Sequence, residues 1–161
     1  MRIDKLTTKL QEALADAQSL ALKHDNASIE SAHLVLALLE QHDSVAPLLQ
    51  RSGVDVKGLA KSIANLMDRL PKTQSSEQVQ VGREVVTLLQ LAEKESMKRG
   101  DQFVASELFF YALSDYKSEC AQICRDHGLN KSSLDVAIKA LRGGESVQSA
   151  NPEGQREALQ K

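Results

Sequence analysis

The chain has 161 residues, a formal net charge of −2, 42% apolar residues and only 3% aromatic ones, with no Trp. That length fits one domain or two small lobes, and the charge offers nothing to recruit nucleic acid or an anionic membrane surface. With so few rings, the core has to be built from Leu, Ile, Val and Ala, which suits helices better than a β-sandwich.

Helical periodicity starts at once. Leu6, Leu10, Ala13, Leu14, Ala17 and Ala21 recur at three- and four-residue steps, as one buried helix face requires. Leu34, Leu38 and Leu39 open a second stripe, and Ile63, Leu66 and Leu70 close a later one. Pro71 then stops the helix, and the polar run to Gln78 reads as a surface connector. Val81, Val85, Leu88, Leu89 and Ala92 form the stripe of a fifth helix. No stretch sustains apolar/polar alternation, so no strands are expected. After Arg142, glycines and polar residues compose a flexible linker expected to be mobile. A helix-compatible pattern resumes at Gln155 to Lys161, as if this chain were the front of a longer protein.

Shifted by 75 residues, the chain resembles itself without a gap. Leu14 meets Leu89, Ala17 meets Ala92, Ser31 meets Ser106, Gly53 meets Gly128, Leu59 meets Leu134 and Ile63 meets Ile138. Helix punctuation matches too. Asp43 and Ser118, then Asp55 and Asn130, fall at corresponding helix starts, and all four are N-cap formers. Gly53 and Gly128 fall just past helices, where a positive φ ends a helix cheaply. The expected fold is all-α: two tandem four-helix repeats with pseudo-twofold symmetry, at about 5–70 and 80–142. Residues 1–142 form the domain, and 143–161 the linker and the start of whatever follows.

Chemistry is sparse. No Gly-x-x-x-x-Gly-Lys-Ser/Thr loop is present to cradle phosphates, and no Gly-x-Ser-x-Gly elbow. The fragment is therefore read as non-catalytic, without cofactor or metal. No apolar run approaches the ~18–20 residues of a membrane span, and the first ten residues lack a signal-peptide core. Two cysteines make no disulfide framework and point to a reducing, cytoplasmic setting. Cys120, Cys124 and His127 could be metal ligands, but zinc wants four and no second pair has matching spacing. Cys120 and Cys124 stand where the first copy has Val45 and Leu49, so both read as core. His33, early in a helix, reads as a structural hydrogen-bonding residue.

Positions apolar in only one copy need another explanation than shared core. Leu91 corresponds to Asp16, Leu108 to His33 and Phe103 to Ser28. Leu91 lies about 100° from the centre of its helix stripe, so it belongs at the border or in solvent. This excess either packs against the first copy or the linker, or lines a groove for apolar segments. Asp101 and Glu107 have a plainer reading as turn and helix punctuation.

Several segments resemble the N-terminal domain family of ClpB-type disaggregases. They are Met1 to Thr7, Ala15 to Leu22, His24-Asp25-Asn26 with Ile29-Glu30 and His33-Leu34, Lys98 to Phe103, Ser106 to Phe109, and the exit Arg142 to Val147. Where the family usually has Pro after Glu30, this chain has Ser31, and its sixth helix is unusually aromatic at Phe109, Phe110 and Tyr111. The resemblance implies a domain that docks exposed apolar segments of misfolded or aggregated proteins. It implies a parent that is an ATP-dependent homohexamer working with the DnaK system. The isolated domain is expected to be a monomer without nucleotide affinity. It further implies a client surface at the residues matching Thr7, Leu89, Leu91, Asp101, Glu107 and Leu108. The alternative is an adaptor-docking domain of a Clp protease unfoldase. An exposed groove holding both Leu91 and Leu108 is the specific expectation.

Overall fold

Helix punctuation divides the chain as its sequence repeat does. A computed structural model describes residues 2–73 and 78–152. Repeat one holds α1 (Thr8–Lys23), α2 (Ser31–Leu39), α3 (Val45–Arg51) and α4 (Val56–Asp68); repeat two holds α5 (Arg83–Lys98), α6 (Ser106–Leu113), α7 (Glu119–Asp126) and α8 (Lys131–Arg142). Adding 75 to the bounds of α1 gives those of α5, and the other three pairs agree within a residue. Side-chain oxygens of Asp55, Ser118 and Asn130 each accept from a first-turn N–H, as expected of N-caps. Asp43 does not. Ser44 takes the cap position of α3, and the Asp43 carboxylate instead pairs with Lys9 at 3.1 Å. Proximity to a long cationic side chain outweighs the local cap.

The expectation of no strands is corrected. Ser28–Ile29 (β1) and Gln80–Val81 (β2) pair in parallel, and Leu6 bridges Val104. These pairings are reciprocal under the 75-residue shift: 29 plus 75 is 104, and 81 minus 75 is 6. Each repeat thus lends the segment before its first helix to the loop between the other repeat's first and second helices. Two-residue ladders carry no alternation that a sequence could display. Val81, expected in the core stripe, lies in β2 and is 42% exposed.

Within each repeat the first two helices pack together, and across repeats α4 lies on α7 and α3 on α8. One continuous core results, with Phe109 and Phe110 meeting edge to face at 5.7 Å. The repeats touch backbone to backbone at their glycines. Gly53 and Gly128 have φ of +105° and +103°, and a Cβ on Gly128 would land on the Gly53 carbonyl oxygen, while one on Gly53 would meet open space. Gly53→Ala therefore meets backbone strain alone, about 1–3 kcal/mol. Gly128→Ala should lose at least ~1 kcal/mol more through overpacking. Urea unfolding of the two variants checks that order.

The segment after α8 is docked, against the expectation of mobility. Val147 is 3% exposed, its N–H donates to Asp101 Oδ1 at 2.8 Å, and its carbonyl accepts from Gln102 N–H at 2.7 Å. Thr8 N–H donates to the Ala150 carbonyl at 2.7 Å. Composition suggested too little apolar area to offset ordering, but it takes no account of partners already fixed by the fold. The helical pattern from Gln155 lies outside the described residues.

Candidate functional site

Helix α5 turns Val85, Leu88, Leu89 and Ala92 inward, all buried. Leu91, one step round the helix, is 42% exposed. It forms one wall of a groove of about 210 Å³ completed by Lys94, Glu95, Lys98, Tyr111, Ala112, Asp115 and Lys131. Two cations approach Tyr111, with Arg99 Cζ 4.9 Å and Lys131 Nζ 5.1 Å from its ring centroid. Those cations are themselves fixed. Arg99 pairs with Glu95 and Asp135 at 2.9 and 2.7 Å, and Lys131 with Asp115 at 2.9 Å. Arg99 and Lys139 hold the Asp135 carboxyl below the usual carboxylate range. The groove thus offers an aliphatic side chain, a ring and lysine stems on rigid walls, which suits an apolar segment with polar flanks.

The other five expected residues lie elsewhere. Leu108 is fully buried, which corrects its placement in an exposed groove; Leu89, at 6% exposed, is core as well. Thr7 is fully buried as the N-cap of α1, its hydroxyl accepting from Leu10 N–H. Asp101 and Glu107 have side chains 0% and 1% exposed and share Arg142, at 2.8 and 3.2 Å. The structure brings Asp101 and Glu107 together through that guanidinium and leaves Leu91 alone on the groove.

Leu108 misled for a definite reason. Its repeat-one counterpart His33 is polar but also fully buried. Glu30 N–H donates to His33 Nδ1 at 2.8 Å, His33 Nε2 meets Asn26 Oδ1 at 2.8 Å, and Asn26 Nδ2 donates to the Pro71 carbonyl. The Glu30 bond makes Nδ1 an acceptor, so the proton sits on Nε2. Burial, assisted by His24, pushes the His33 pKa down to about 4. The unfolded chain, with a histidine pKa near 6.5, therefore takes up the proton first as pH falls. This histidine's contribution is full above ~6.5 and declines towards pH 4. Between pH 7 and 5 it should account for about 2 kcal/mol. Urea melts at both pH values, set beside His33→Gln, should show a flatter profile in the variant.

Sequence reading passed over a second groove, of about 530 Å³, between α3 and α8, lined by Arg51, Ser52, Ser133, Val136, Ala137, Ala140 and Leu141. A signal was present: Val136, Ala137 and Ala140 replace Lys61, Ser62 and Asn65 of repeat one. Cys120 and Cys124 are buried core residues, and the hydrogen bond with Cys120, together with burial, pushes the Cys124 thiol up. His127 bonds Ser62 and the Ile123 carbonyl instead of facing them. Among the described residues no cluster of three or more His, Cys, Asp or Glu could hold a metal ion, and no helix is long and apolar enough to cross a membrane.

The model of the Clp repeat N-terminal domain matches residues 5–127. The chaperone protein ClpB of Pseudomonas putida is 43% identical over all of this chain, which spans 19% of that protein's length. Its Vibrio cholerae counterpart is 38% identical with the same coverage. Among solved structures, the Hsp104 N-terminal domain from Candida albicans superposes with a TM-score of 0.78 at 17% identity, covering 91% of this chain and 97% of that one. A complex of the ClpV N-domain with a VipB peptide gives 0.73 at 23% identity, covering 91% and 92%.

Proposed function

The chain belongs to the Clp repeat N-terminal domain family, and from that premise we propose that it is the client-docking module of a ClpB-type ATP-dependent disaggregase. It is non-catalytic itself. ATP binding and hydrolysis belong to the remainder of a longer, homohexameric cytoplasmic chaperone that works with the DnaK system. Its clients are exposed apolar segments of misfolded or aggregated proteins, and the isolated domain is a monomer. Similarity to ClpB chaperones over all of this chain, which spans 19% of their length, supports the class.

One observation carries the docking role: Leu91, 42% exposed, stands on a rigid groove with Tyr111 at its side. Leu89, Leu108, Thr7, Asp101 and Glu107 are buried and do not line that groove; their part is to hold the fold. Fluorescence anisotropy with a permanently unfolded protein and its native form tests the reading. Binding of the unfolded form alone is expected. Equal binding of both forms, or of neither, would refute it. Selective binding of one folded adaptor would favour the adaptor-docking domain of a protease unfoldase.

A further inference from the structure

We propose that the Leu91 groove selects its segments by charge, and that Lys94 and Lys98 make it prefer an apolar residue with acidic residues to one side. The inference rests on the reading of this groove as the docking site and adds the substrate class. Both carboxylates on the groove are already neutralised. Glu95 pairs with Arg99, and Asp115 with Lys131. Asp135, behind them, takes both Arg99 and Lys139. Two cations are left over. Lys94 and Lys98 line the groove, are exposed, and have no ion pair among the described residues. Glu93, the nearest carboxylate before them on α5, lies ~200° round the helix from Leu91 and out of the groove.

The spacing sets what these lysines can read. Lys94 and Lys98 lie within ~60° and ~20° of Leu91 on α5, about 4.5 and 10.5 Å further along its axis. An extended segment advances about 3.3 Å per residue. With an apolar side chain seated on Leu91 and Tyr111, the next one to three residues towards the end of α5 pass both ammonium groups. Carboxylates there meet free cations, whereas basic residues meet two like charges with no local counter-ion. Repeat one has nothing equivalent. Leu91 and Lys94 stand where it has Asp16 and Ser19, and Lys131, which neutralises Asp115, stands where it has Val56. The apolar residue and the unbalanced positive charge therefore arise on the same face of the same repeat.

The test uses the whole 161-residue chain and three labelled peptides that share one apolar centre and differ only in glutamate, serine or lysine flanks. The wild type should bind the glutamate peptide roughly fivefold more tightly than the serine one at low salt, as two exposed ion pairs allow, and the lysine peptide most weakly. Raising salt from about 0.02 to 0.3 M should bring the three together. In the double variant Lys94→Gln, Lys98→Gln the preference should vanish while the serine peptide binds as before. Both lysines are exposed, so the variant should keep the wild-type melting temperature. Equal binding of the three peptides, still weakened by Leu91→Ser, overturns the charge selection and leaves the docking site standing. An acidic preference that persists in the double variant also overturns it. Binding that Leu91→Ser does not weaken removes the docking reading, and this inference with it.

Discussion

Arg142→Ala should cost the domain about 3–5 kcal/mol, the usual loss when one partner of a buried ion pair is removed. Two carboxylates converge on this guanidinium, with Asp101 and Glu107 side chains 0% and 1% exposed and Arg142 itself 7%. Without it, two like charges remain side by side out of water. Their repulsion and burial then count against the folded state. Arg142→Lys keeps the charge but not the fork that reaches both carboxylates, and should fall between. Urea unfolding of both variants measures this. A loss below ~1 kcal/mol for Arg142→Ala would mean that the triad contributes no more than a surface pair.

Leu108→Ser should lower stability by a similar amount. The side chain is fully buried, large-to-small changes in cores cost about 2–5 kcal/mol, and a buried hydroxyl without a partner adds to that. For a chain of this size each kcal/mol shifts the melting temperature by about 2–4 °C, so a drop of roughly 10 °C is expected. Leu91→Ser, at an exposed position, should stay within ~0.5 kcal/mol of the wild type. Any loss of client binding by the Leu108 variant would follow from unfolding.

The contrast between these two leucines shows what a single sequence can carry. Each was singled out because its repeat-one counterpart is polar. For Leu91 the inference holds, since Asp16 is solvent-exposed and an apolar residue in its place remains so. For Leu108 it fails, because His33 is a buried polar residue satisfied by Glu30 and Asn26. Polarity stands for exposure only where hydrogen bonds do not compensate burial. The repeat, its helix bounds and three of four caps were legible because they depend on residues close in sequence. The β1–β2 pairing, the Asp43–Lys9 pair and the docking of Val147 join distant positions, and periodicity carries no trace of them. Asp101 and Glu107 were legible as punctuation, but their partner Arg142 lies 41 and 35 residues away.

The most direct measurement is the affinity of a permanently unfolded protein for three folded forms of this chain: wild type, Leu91→Ser and Val136→Ser. Val136 is 67% exposed on the α3–α8 groove, so it controls for the loss of any exposed aliphatic group. Leu91→Ser should weaken binding roughly fivefold or more, as expected when about 1 kcal/mol of apolar burial is lost. Val136→Ser should leave it unchanged. If binding instead falls with Val136→Ser and survives Leu91→Ser, clients dock between α3 and α8, and the assignment to the α5–α6 face is wrong.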